Sequence, residues 1–111
     1  MKIKPGAVWS PLAGLHIEMR RALIAAETVF KAHGVELVVT SGLDGEHSAG
    51  SYHYYGLAVD LRTRQIPTVA EVQQIAQELR AALGSPYDVV VEGDHLHLEY
   101  DWEQARKGGL V

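Results

Sequence analysis

Hydrophobic and polar positions along the chain switch between two periods, and each switch marks a predicted element. Over residues 12–33 the apolar side chains fall at Leu15, Met19, Ala22, Leu23, Ala26, Val29 and Phe30, a helical stripe that leaves Glu18, Arg20, Arg21 and Lys31 outside it. Ser10 and Pro11 suit the start of that helix and Gly34 its end. Residues 35–40 are short and β-branched and read as a strand. Residues 41–51 are rich in Gly, Ser and Asp and read as a long loop, the kind of segment that often carries function in a compact domain. Residues 57–62 alternate in the strand manner, with Leu57, Val59 and Leu61 on one face and Ala58, Asp60 and Arg62 on the other. Pro67 and Thr68 introduce a second helix, about 69–83, with Val72, Ile75, Ala76, Leu79 and Leu83 as its buried stripe; Gly84 and Pro86 end it. Residues 87–92 and 95–100 form a hairpin around Gly93-Asp94, a dipeptide suited to a tight primed turn. Its second strand sets Leu96, Leu98 and Tyr100 on one face and His95, His97 and Glu99 on the other.

The order helix, strand, loop, strand, helix, hairpin predicts an α+β domain: a small, mainly antiparallel sheet with helices on one face and a metal site on the other. Two strands each present a polar face carrying potential metal ligands. With 111 residues, 47% of them hydrophobic, the chain fits a single domain, 1–111, around one core. The tail after Trp102 has little to bury and is expected to fray.

Composition narrows the chemistry. There is no cysteine, so disulfides and thiolate metal sites are excluded, and a transition metal has to be held by His and carboxylate; zinc is the leading ion. A net charge of -4 with scattered Lys and Arg disfavours nucleic acid as a partner. No run approaches the roughly 20 apolar residues of a membrane span. Lys2 and Lys4 are not followed by the apolar core of a signal peptide, which predicts synthesis in the cytoplasm and a protein that does not engage membranes.

The densest chemistry lies in Ser51-Tyr52-His53-Tyr54-Tyr55-Gly56-Leu57-Ala58-Val59-Asp60 and in Asp94-His95-Leu96-His97. Together they hold three zinc-type ligands and a spare carboxylate, the inventory of a catalytic site in which zinc keeps a position open for water. His53 and Asp60 are too far apart for one helical face but suit a loop-end ligand followed by a strand ligand. Gly56 between them lets the backbone turn sharply or approach another segment closely. His95 and His97 share a strand face, so both can border the metal.

Ser51-x-His53-x-x-Gly56-x-Ala58-x-Asp60 with Asp94-His95-x-His97 resembles the zinc D-Ala-D-Ala carboxypeptidase (peptidase M15) family. That superfamily includes D-Ala-D-Ala dipeptidases and phage endolysins that cut peptidoglycan peptides, and it shares its fold with the Hedgehog signalling domain. The resemblance covers about residues 38–100. It implies His53, Asp60 and His97 as zinc ligands and Asp94 as the general base toward the zinc-bound water. It further implies that His95 lines the site and helps stabilise the oxyanion or hold the substrate, and that Ser51 binds the peptide. The implied partner is a peptidoglycan stem peptide, cut by a monomeric enzyme of the carboxypeptidase or the L-Ala-D-Glu endopeptidase type. A compact form of this kind resembles phage or prophage enzymes delivered to the cell wall.

Two features depart from the family pattern. Relatives commonly carry an Arg after the Ser-Gly that ends the first strand, whereas Ser41-Gly42 is followed here by Leu43-Asp44; His47, His95, Arg62 and Arg64 are the candidates to replace it. Glu92-x-x-His95 also fits the dipeptidase branch, with Glu92 as base and His95 as ligand, although Asp94 with His97 matches the carboxypeptidase branch at more positions. The pattern also admits a catalytically inactive, zinc-stabilised module that binds peptidoglycan or a protein. Tyr52, Tyr54 and Tyr55 suit either a substrate wall or packing on the sheet edge, Trp9 and Trp102 read as packing anchors, and His16 and His33 are assigned no function.

Overall fold

The structure is a computed structural model that describes residues 2–3, 17–41 and 58–101. Its elements are β1 (Lys2–Ile3), α1 (Ile17–Ala32), β2 (Val38–Ser41), β3 (Ala58–Arg62), α2 (Val69–Leu83), β4 (Tyr87–Glu92) and β5 (His95–Tyr100). The strands form one sheet in the order β1-β2-β3-β5-β4, with β1 parallel to β2 and every other pairing antiparallel. The architecture is therefore the α+β arrangement expected, with a short parallel strand added at one edge.

Both helices pack on the same face of the sheet. Met19, Ala22, Leu23, Ala26 and Phe30 of α1 and Val72, Ile75, Ala76 and Leu79 of α2 are buried at helical spacing. They meet Val39, Val59, Leu61, Val89, Leu96 and Leu98, the sheet residues that alternate toward the helices. Polar groups at the end of α1 and at the start of α2 are paired. Gly34 adopts φ 68°, its N–H donates to Lys31 O at 2.9 Å, and the Val35 N–H donates to Phe30 O at 3.0 Å. These two bonds close α1 with a Schellman turn that only a residue tolerant of positive φ accommodates without strain. At the start of α2 the Thr68 hydroxyl accepts the Glu71 N–H at 3.1 Å. Arg80 anchors the far end of α2 to the sheet, donating from Nε (3.1 Å) and Nη2 (2.8 Å) to Val89 O.

Three differences from the expected elements bear on the site. The strand expected over residues 35–40 is paired as Val38–Ser41, and a bulge sets Thr40 and Ser41 against Asp60 after the regular pair Val39↔Leu61. A bulge adds a residue to one strand and increases local twist. Secondly, the turn between β4 and β5 is not primed, because neither Gly93 nor Asp94 has the positive φ that primed turns need. It is tied instead to the chain after β3, where the Thr63 N–H donates to Asp94 O at 3.1 Å. Thirdly, Ala58 is fully buried although it alternates to the polar face.

Candidate metal centre

β3 and β5 bring the polar face together by register. Asp60 is the direct partner of His97, Arg62 of His95 and Ala58 of Glu99; on the other side of β5, Glu92 partners His95 and Val90 partners His97. Because side chains directly opposite one another in antiparallel strands share a face, Asp60, His95, His97, Glu92 and Glu99 converge while Leu96 and Leu98 stay fully buried beneath them.

Asp60 lies at the centre. Its Oδ1 is 3.1 Å from Nδ1 of His97 and 3.7 Å from Nε2 of His95. Its side chain is 17% exposed and that of His97 19%, so both are mostly shielded yet reachable from one side. Thr40 Oγ1 on the bulged β2 donates to the Asp60 carbonyl at 3.4 Å, linking the irregular strand to this position. The second nitrogen of His97, Nε2, is 2.7 Å from Oε1 of Glu99. His97 is pushed up to about 9, chiefly by its hydrogen bond to Asp60, with Glu99 adding to the shift and burial opposing it. In the metal-free chain it is accordingly an imidazolium between two carboxylates at neutral pH.

His95 is oriented from the turn. Its Nδ1 is 2.9 Å from Oδ1 of Asp94, and its Nε2 is 3.7 Å from Oε2 of Glu92 as well as from Asp60. Asp94 is 89% exposed, and its hydrogen bond to His95 holds the carboxyl below its ordinary value, so it is ionised and able to accept a proton at neutral pH. The structure thus places four of the six expected site residues, Asp60, Asp94, His95 and His97, in one connected cluster. His53 and Ser51, with His47 and the tyrosines around His53, lie outside the described residues, as do Trp9, His16 and Trp102.

No family model matches this chain, and no curated protein or solved structure matches it. The case for a metal rests on the donors. Two donors of one tetrahedral zinc, each about 2.0–2.2 Å from the ion, are separated by roughly 3.3–3.6 Å, a few tenths of an ångström more than the 3.1 Å hydrogen bond between Asp60 Oδ1 and His97 Nδ1. The pair has the chemistry of two zinc ligands. Among the described residues no group of three or more His, Asp or Glu is arranged to hold a metal, so a complete ligand set requires a donor from elsewhere in the chain.

Arg62 shares the polar face with His95, and its Nε donates to Gln65 Oε1 at 3.0 Å; Gln65 in turn donates to Glu36 O at 2.8 Å and Arg62 O at 2.9 Å. Arg64 is exposed in the turn after β3. The residue that sequence motifs passed over is Glu99. Strand alternation had already put it on the face of His95 and His97, but its contact with the far side of the His97 ring depends on rotamers that spacing does not encode.

Proposed function

We propose that this chain is a zinc-dependent peptidase with a Hedgehog/DD-peptidase-like fold that hydrolyses peptide bonds of peptidoglycan stem peptides, acting at the cell wall. The observation that carries the reading is the cross-strand pair Asp60–His97 at 3.1 Å on the polar face of the sheet, with His95 and Asp94 beside it. Asp60 from the first half of the metallopeptidase-like pattern and Asp94, His95 and His97 from the second, distant in sequence, lie in one cluster, which supports this reading.

In this reading His53, Asp60 and His97 hold the ion, with His53 supplied by the segment before β3. Bound there, zinc would supply Lewis-acid polarisation of the scissile carbonyl and would lower the pKa of a bound water into the neutral range. Asp94, already ionised, accepts the proton from the attacking water and returns it to the leaving amine. His95, held by Asp94, donates toward the developing negative charge on the carbonyl oxygen, and Ser51 binds the peptide backbone. The test is zinc content by elemental mass spectrometry, followed by mass spectrometry of peptidoglycan fragments. One zinc per chain that is lost in His97→Ala, together with an Asp94→Asn variant that keeps zinc and loses turnover, is the expected result. An Asp94→Asn variant with undiminished hydrolysis removes the base assignment.

A second reading is a zinc-stabilised module that binds peptidoglycan or a protein without cleaving it. It draws on Asp94, whose carboxylate is almost fully exposed and paired with His95, and whose lowered proton affinity makes a weak base. That reading predicts bound zinc and a chelator-sensitive melting temperature with no cleaved fragment; slow zinc-dependent amide hydrolysis eliminates it.

A further inference from the structure

The imidazole of His97 is gripped from both ends, and the two ends are not equivalent. Nδ1 faces Asp60 across the strand pair at 3.1 Å, whereas Nε2 faces Glu99, two residues along β5, at 2.7 Å. Glu99 is 24% exposed, and its cross-strand neighbour on β3 is the fully buried Ala58, which brings no side-chain donor to compete for the carboxylate. The neighbour on β4 is Asp88, itself an acceptor. We infer that Glu99 is a positioning residue for the metal centre: it accepts the Nε2–H of His97 and so commits Nδ1, the nitrogen beside Asp60, to the ion.

This assignment rests on the zinc reading above and deepens it. A ligating imidazole is neutral, so one nitrogen carries the proton and the other the lone pair. A carboxylate at Nε2 stabilises the tautomer with its proton there, raises the electron density at Nδ1 and holds the ring against rotation about χ2. The alternation of β5 makes the arrangement local, since His97 and Glu99 project from the same face of one strand and need no other element to meet. Asp94 stands in a comparable relation to His95, at 2.9 Å from Nδ1, but from an exposed turn.

The experiment measures the zinc dissociation constant of the full chain by competition with a chromophoric chelator, for wild type, Glu99→Gln, Glu99→Ala and His97→Ala. Glu99→Ala is expected to weaken zinc binding about 10–100-fold. Glu99→Gln, whose amide oxygen still accepts the Nε2–H without the charge, is expected to recover part of that loss. Nitrogen-15 spectra of the zinc-loaded wild type are expected to show His97 protonated at Nε2, and the cobalt-substituted Glu99→Ala protein a changed visible absorption band. A merely structural role for Glu99 would shift the melting temperature of the metal-free chain and leave the cobalt band and the Nε2 proton in place. Zinc affinity within about twofold of wild type in both Glu99 variants, while His97→Ala abolishes binding, overturns the role of Glu99 and leaves the zinc reading standing. Wild type that takes up no zinc, or His97→Ala that keeps it, overturns both.

Discussion

On the helix layer His33 sits between two carboxylates of α2, with Nε2 2.9 Å from Glu78 and Nδ1 3.5 Å from Glu71; on the opposite face of the sheet, His95 and His97 sit among Asp60, Glu92, Asp94 and Glu99. The residue types are the same, but the wiring differs. Around His33 each ring nitrogen has its own glutamate, and both glutamates come from one helix, so the ring serves as a clip between the end of α1 and the side of α2. On the sheet one carboxylate, Asp60, is within 3.7 Å of two different histidines, and outer carboxylates take the remaining nitrogens. The shared carboxylate is what sets the sheet cluster apart: Asp60 stands between two rings, whereas the two glutamates at His33 serve one ring. Histidine–carboxylate proximity alone does not distinguish the two.

The sharpest separation is expected in zinc content. Asp60→Ala and His97→Ala should each lose the metal completely, whereas His33→Ala should retain one zinc per chain by elemental mass spectrometry; loss in all three would dissolve the distinction. Next in size is the contrast between the two faces of β5. Leu96→Ala, which empties a fully buried position, should cost about 2–5 kcal/mol in denaturant unfolding. His95→Ala beside it, on the partly open face, should cost the metal-free chain less than about 1 kcal/mol.

His33→Ala should lower stability by only about 0.5–1 kcal/mol, the range of a solvent-screened ion pair, and should do so equally with and without zinc. The smallest effect is its pH dependence. Hydrogen bonding to Glu78, helped by Glu71 and opposed by burial, raises His33 above its ordinary value of 6.5. A histidine whose pKa is higher in the folded than in the unfolded chain contributes its full stabilisation below the unfolded value and loses it as pH rises through the folded one. The stability difference between wild type and His33→Gln should therefore be largest at pH 5–6 and shrink above pH 7, and a difference constant from pH 5 to 9 would show that the ring acts by packing alone.

Legibility differed between elements for physical reasons. α2, β4 and β5 occupy the residues read from periodicity, because each carries an unbroken apolar stripe bounded by Thr68 and Gly84 or by the Gly93-Asp94 turn. β1 is two residues long, too short to show any period, and exists because it pairs with β2. The bulge opposite Asp60 and the unprimed turn were equally hidden, since both arise from pairing with distant chain. At the site, the motifs singled out Asp60, Asp94, His95 and His97, but not Glu99, and His33 carried no local sign of glutamates 38 and 45 positions away.

Local order in the chain settled α2, β4 and β5 and put Asp60, His95 and His97 on the polar sides of their strands, because alternation and helical spacing are properties of neighbouring residues. It also brought His97 and Glu99 to one face, two positions apart on a single strand. What required the fold was the meeting of Asp60 with His97 and His95, because register between β3 and β5 is set by burying Val59, Leu61, Leu96 and Leu98 together beneath the helices. A slip of one residue would turn Asp60 into the core and Leu61 to solvent, so the same apolar packing that stabilises the sheet determines which carboxylate faces which imidazole.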